Sequence, residues 1–542
     1  MPSLIERMAE WAISTKLEDI PERVQQKAKL QTLSMLAAVY AGYSTRAARA
    51  IREVILSTRA SGRATVFPQG ELTSPTVSVV ANAAASMALD FDDYLFLGHT
   101  GHSAVLSAFG LAQELGSSGA DTLLAQIIAN EVGGRLGASV VLGPQNGQLW
   151  THLHAMASAC AGSRLMGLDP KQTAHAMAIS LYQPPLALWP GFMGPDSKLL
   201  SASFPARDGL MAARLASWGL TGPLDVLENP AGFGAHFSNH FLPDMFSGFS
   251  QTWVTDTLCF KIYPGCAYID SAMDALFDLT ADFEKENQRP LHPADVITAS
   301  VRTTLLGAEM DRLGSNQAGN PLSPVRINFS LPYSLAVGFL AGRLTPLELA
   351  EEELQKNKDE IHFLAEKFEV VHDWSMTLQM FERMAEHIPL RSLLSDIDLK
   401  KILELREGAG AIQFKPSDIM KIAAFLLPRA PGLVRDAVAG IGKEKEPFDL
   451  DRARLDQLSM PFSAEVILRL RGKETLSARV DVPKGAAGRD WAETTGMVRK
   501  KFRDQATPLL DGEKVQRAID LIDRLETLEN LSELTANLVV GT

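Results

Sequence analysis

Cysteine is scarce in this sequence: Cys160, Cys259 and Cys266 are the only three in 542 residues. Three thiols cannot form a disulfide framework, nor supply the four thiolates of an ordinary iron–sulfur cluster, so a reducing, cytoplasmic setting is expected. Basic charge is also in deficit. Lysine plus arginine number 52 against 64 aspartates and glutamates, a formal charge of −12, and this excludes the clustered positive footprint that nucleic acid requires. No apolar run reaches the ~18 residues of a membrane span. Near the N-terminus, Glu6, Arg7 and Glu10 interrupt the apolar residues, as in an amphipathic helix and unlike a signal peptide. Neither a G-x-G-x-x-G fingerprint nor a G-x-x-x-x-G-K-[ST] loop occurs, so a dinucleotide fold or a phosphate loop is not expected.

What is present is apolar and helical in rhythm. Hydrophobic residues make up 46% of the chain, enough to bury a core, and the length asks for two or more domains. From residue 1 to about 258, apolar residues recur at three- and four-residue spacing among many alanines. Leu123, Ile127, Ile128 and Val132 form one helical face, Pro170 opens another helix, and Pro205 is expected to open a third. After Phe260 the rhythm changes. Strands are expected over 295–303, 368–371, 464–470 and 476–482, the last two forming a hairpin, with a charged helix over 344–358. Two helices, 490–503 and 512–534, close the chain.

The fold expected is therefore mostly α with a smaller α+β domain. Residues 1–258 and 488–542 would form a large all-helical domain completed by the C-terminal helices. Residues 259–487 would form an α+β lid. The stretch 385–455, with its alternation Lys443-Glu-Lys-Glu446, reads as an insertion or a third element.

The densest polar segment runs from Asp90 to His102, with Asp90, Asp92, Asp93, His99 and His102 between two small-residue helices. Three readings stay open: a helix end with solvated or capping acids, acid/base chemistry, or a metal site. Trp150-Thr-His-Leu-His154 is a second cluster. His152 and His154 stand two apart, so on a helix they diverge, and for each alone a hydrogen-bonded core or surface histidine is the commoner outcome. Lys198 and Lys261 are the basic candidates. Lys261 lies among apolar residues just before Pro264-Gly265, where it either snorkels to water or meets an anion.

These segments together resemble the MmgE/PrpD family of dehydratases and decarboxylases. Ala88–Asp93 resembles its D-F-D-D element, and His99-Thr-Gly its histidine turn. Asn130-Glu-Val-x-x-Arg135, Arg164–Asp169, Ser197-Lys198, Gly219–Gly232, Phe260-Lys-x-Tyr-Pro-x-Cys266 and Pro321–Tyr333 follow in the family's order. Some positions depart from it. Tyr94 stands where threonine is common, Thr100 replaces the turn proline, Cys266 replaces a histidine, and Asn328 replaces a cation. Arg326 could substitute for that cation from two residues away if the segment were a strand.

The resemblance implies a homodimeric lyase acting on a small di- or tricarboxylic acid, without metal or other cofactor, at a site between the domains. On that reading Lys198 and Lys261 stabilise charge developing on the substrate. Asp90 or Asp93 with His99 transfers the proton, His152 is the opposing acid or base, and Tyr333 orients or protonates. Tyr94, His102, Cys266 and Arg326 would bind substrate. The alternatives are an isomerase or epimerase on the same fold, and a non-catalytic binding protein.

Overall fold

The computed structural model describes residues 2–96, 98–141, 143, 147–148, 150–319, 321–388, 420, 450–472 and 474–540. It is 59% helical with a few small sheets, a mostly α protein with a smaller α+β region. Two compact units are formed, Met1–Gly265 with Gly485–Thr542, and Cys266–Lys484. Of the stretch 385–455, residues 389–419 and 421–449, and with them the 443–446 charge alternation, lie outside the described residues.

The first unit is a pack of helices drawn close by small side chains. Ala104 and Ala108 of helix Gly101–Leu115, Ala125 and Ala129 of Gly119–Ser139, and Ala157 and Ala161 of Leu153–Leu165 form one buried cluster. Ala159, Ala176, Ala212, Ala213 and Ala216 form another. At Gly209 the backbones come close: a Cβ there would stand 2.1 Å from the Ala155 carbonyl oxygen. Helix Gly119–Ser139 is buried around nearly its whole circumference, beyond the single face its apolar spacing marks. The C-terminal helices Trp491–Ala506 and Gly512–Asp523 pack against helix Glu22–Gly42, so the two ends of the chain share one core.

Two helical expectations are corrected here. Pro205 does not open a helix but lies inside Leu200–Ser217. As the sixth residue it lacks the N–H that would bond the Ser201 carbonyl, and packing on helices Leu153–Leu165 and Pro75–Met87 carries the helix through it. The closing helix does not run to Leu534 either: it stops at Asp523, and a 3-10 turn Leu525–Thr527 precedes helix Ser532–Asn537. The break lets the Leu528 carbonyl accept the Gly119 N–H at 2.8 Å, a tertiary bond that the local apolar spacing cannot anticipate.

In the second unit a four-stranded sheet has the order Thr475–Val480, Ala464–Leu470, Val296–Thr303, Phe368–His372. The first three pair antiparallel and the last parallel. A register shift between Val296 and Thr298 turns Ile297 outward and restores burial at Ala299 and Val301, so the alternation changes phase within this strand. Helix Ala267–Asn287 packs on the Ala464–Leu470 and Thr475–Val480 strands.

The charged helix expected over 344–358 begins only at Glu351. Before it, the Glu348 carboxylate accepts the Thr345 N–H and hydroxyl at 2.9 and 2.6 Å, which folds the segment into a turn. The strand premise for Arg326 also fails. Pro324–Ile327 is a short helix capped by Ser323, so Arg326 and Asn328 do not share a strand face.

Candidate active site

A buried charge cluster lies in the first unit, where helix Pro75–Met87 gives way to helix Gly101–Leu115. The link holds a two-residue ladder in which Asp93 and Tyr94 pair with Phe260 and Cys259. Asp90 sits at φ 51°, in the left-handed region, a strain of about 1–2 kcal/mol for a residue with a Cβ. That bend and the two-residue spacing aim the Asp90 and Asp92 carboxylates at the same ammonium. Lys261 Nζ donates to Asp92 Oδ1 at 2.7 Å, to Asp90 Oδ2 at 3.1 Å and to the Asp90 carbonyl at 2.8 Å. Lys198 Nζ donates to Asp90 Oδ1 at 2.7 Å. Both lysine side chains are fully buried.

Asp92 is the hub. Its Oδ2 lies 2.7 Å from His99 Nδ1 and 3.1 Å from His102 Nε2, while its Oδ1 holds Lys261. His102 Nδ1 is in turn 2.7 Å from the Ser86 hydroxyl. His99 is the exposed member, with 22% of its side chain reached by solvent. The Tyr94 and Trp150 rings flank it at centroid distances of 6.1 and 6.3 Å.

Burial alone would raise both carboxyls of this cluster, but the neighbouring charges overcome it. Lys198 and Lys261 hold Asp90 at about 2. Lys261, His99 and His102 hold Asp92 well below the usual carboxylate range. The cluster thus carries ionised aspartates, each clasped by at least one buried ammonium.

Asp93 points elsewhere, because successive residues of an extended segment face opposite ways. Its Oδ2 accepts from Gln31 Nε2 at 2.7 Å, and its Oδ1 has no hydrogen-bond partner among the described residues. Burial first, then the Asp92 charge, pushes its carboxyl up to about 7. Gln31 continues the ladder to Asn130, which also accepts from the Thr100 hydroxyl at 2.7 Å. Thr100 thus makes a bond that a proline there could not.

The second histidine cluster divides. His154 Nδ1 is 3.0 Å from the Ser103 hydroxyl, and its ring lies 5.9 Å from that of His102. His152 has neither ring nitrogen hydrogen-bonded among the described residues; it packs edge-on against Phe233 at 4.7 Å, and burial pulls it down to about 3.

Of the expected site residues, the structure brings together Asp90, His99, His102, Lys198 and Lys261, with Tyr94 beside them. Asp93 and His152 make no bond to this cluster. Cys266, Arg326 and Tyr333 belong to the second unit. There the Tyr333 hydroxyl is 3.0 Å from His362 Nδ1, and Cys266 precedes helix Ala267–Asn287, its N–H donating to the Asn328 carbonyl. Sequence reasoning passed over Asp92 as a working residue. Its signal was the i, i+2 spacing from Asp90 within D-F-D-D. Among the described residues no group of three or more histidine, cysteine, aspartate or glutamate side chains is arranged to hold a metal ion.

Two family models match the chain: the MmgE/PrpD N-terminal domain over residues 6–245 and the MmgE/PrpD C-terminal domain over residues 263–396. The cis-aconitate decarboxylase of Aspergillus terreus is 25% identical over 377 residues, covering 66% of this chain and 76% of that protein. The human cis-aconitate decarboxylase is 27% identical over 389 residues, 68% of this chain and 77% of its own. The mouse protein of the same name is 25% identical over 392 residues, 69% and 76%.

Proposed function

The chain belongs to the MmgE/PrpD family, whose dehydratases and decarboxylases are lyases, and we propose that it releases water or carbon dioxide from a small di- or tricarboxylic acid. One observation carries this reading: a single buried carboxylate, Asp92, engages the His99 and His102 rings and Lys261 together. Asp92 accepts from His99 Nδ1, which fixes the tautomer and leaves Nε2 to take or return a proton. Lys198 and Lys261 supply the positive charge that a carboxylate next to a developing carbanion requires. In a dehydration the base removes the proton beside the carboxylate, and the hydroxyl leaves, protonated, as water. In a decarboxylation the electrons of the broken carbon–carbon bond stay on carbon, and His99 returns a proton there. Neither course draws on a cofactor, and a homodimer belongs to the same reading.

Proton NMR in deuterated water tests this against a panel of di- and tricarboxylates that includes cis-aconitate, the acid in the relatives' name. The expected result is loss of water or carbon dioxide from at least one acid, with His99→Gln slowed by about 10²–10⁴-fold. Proton exchange without loss of either molecule would make the protein an isomerase. An unchanged panel would make it a binding protein.

A further inference from the structure

The C-terminal helix Trp491–Ala506 lies beyond both matched family regions, which end at residues 245 and 396. Its buried face is Thr494, Val498, Lys501, Phe502 and Ala506, with a lysine at the centre of an otherwise uncharged row. A buried ammonium is costly unless its donors are satisfied, and here they are. Lys501 Nζ donates to the Phe91 carbonyl at 2.6 Å, the Lys261 carbonyl at 3.0 Å and the Ser34 hydroxyl at 3.1 Å. It also stands 4.0 Å from the centroid of the Phe91 ring.

The two carbonyls have a particular place. Phe91 lies between Asp90 and Asp92, and Lys261 is the lysine those carboxylates hold. The ladder joining their two segments is only two residues long and ends at Asp93–Phe260. Beyond that point the strands exchange no further ladder bonds, and the ammonium spans the gap where the next pairs would be. We propose that Lys501 is a positioning residue, a bracket that extends this short ladder and holds Asp90, Asp92 and Lys261 in register. It acts through the backbone of the cluster, at the Phe91 and Lys261 carbonyls.

The link to turnover rests on the function proposed above, whereas the bracket itself can be read without any substrate. Hydrogen–deuterium exchange followed by mass spectrometry compares the parent chain, Lys501→Met and Ser34→Ala. In Lys501→Met, uptake is expected to rise about threefold or more in peptides spanning 90–94 and 259–262, and to stay at the parent level in helix Gly119–Ser139. Turnover of the most active panel acid is expected to fall about tenfold or more in kcat, with KM within about threefold. Ser34→Ala keeps both carbonyl bonds and is expected to match the parent within about twofold in both measurements.

Uptake unchanged in the two peptides overturns the proposal. So does uptake raised evenly across the unit, local loosening with kcat intact, or a Ser34→Ala that behaves like Lys501→Met. If Lys501→Met does not fold, Lys501→Gln, which keeps N–H donors without the charge, carries the same comparison. If no acid on the panel turns over, the functional reading fails, and the uptake pattern alone decides the bracket.

Discussion

At the scale of single residues, the cluster is a balance of buried charges in which no member is independent. Lys261 shows this best. Methionine there would remove the ammonium that two buried carboxylates share, leaving Asp92 with only its histidines and Asp90 with Lys198. Breaking a buried pair from one side costs about 3–5 kcal/mol. Lys261→Met is therefore expected to lower the thermal midpoint as well as activity, and the double variant with Asp92→Asn to regain part of the midpoint but no activity. Melting both variants checks this, and a Lys261→Met that melts with the parent would show that the pair is not held in solution.

Asp93 allows a prediction with a definite sign. Its carboxyl is raised to about 7 in the folded chain, against an unfolded value of about 3.9. The native state thus keeps a proton that the unfolded chain has already released, and stability falls as pH rises from about 4 to about 7, then levels off. Asp93→Asn escapes that loss. It is expected to exceed the parent by about 1–3 kcal/mol at pH 8, with the advantage shrinking toward pH 4. Melting curves across this range decide, and a difference that does not change with pH would sink the assignment.

At the scale of elements, the close helix contacts are the vulnerable points. Gly209→Ala would drive a methyl into the Ala155 carbonyl, a backbone atom that cannot rotate away. A loss of about 2–4 kcal/mol is expected, at or above the upper end for overpacking, measurable as a lower urea midpoint at unchanged slope. The elements themselves were largely legible in sequence, because three- and four-residue apolar spacing and strand alternation record which face is buried. What escaped was set by contacts distant in the chain. The helix ending at Asp523 yields to a bond from Gly119, and the outward turn of Ile297 follows from a bulge against the opposite strand. In the site, the lysines and His99 were legible as polar groups in apolar surroundings. Asp92 was not singled out, because three acids in four positions look alike until the backbone bend at Asp90 decides which of them share a face. Lys501 reads as an ordinary helical lysine until its helix is seen to bury that side.

At the scale of the whole molecule, the first unit is built from two stretches of the chain, and the residues of the second unit fall between them in sequence. A chain ending at Lys484 would lose the helices that cover Glu22–Gly42, and is expected to show no cooperative urea transition for that unit. Activity is expected to survive exhaustive chelation, and tight stoichiometric metal whose removal abolishes turnover would overturn that. Sedimentation at micromolar concentration is expected to report a dimer.

The same arrangement sets an order of events during synthesis. Lys261 leaves the ribosome 240 positions before Lys501, a delay of roughly 10–50 s at about 5–20 residues per second. Through that interval the nascent chain carries its aspartates and lysines without the ammonium that brackets their backbone, and helix Glu22–Gly42 waits without the two C-terminal helices that cover it. Translation speed through the intervening segment then bears on how many copies reach a competent state.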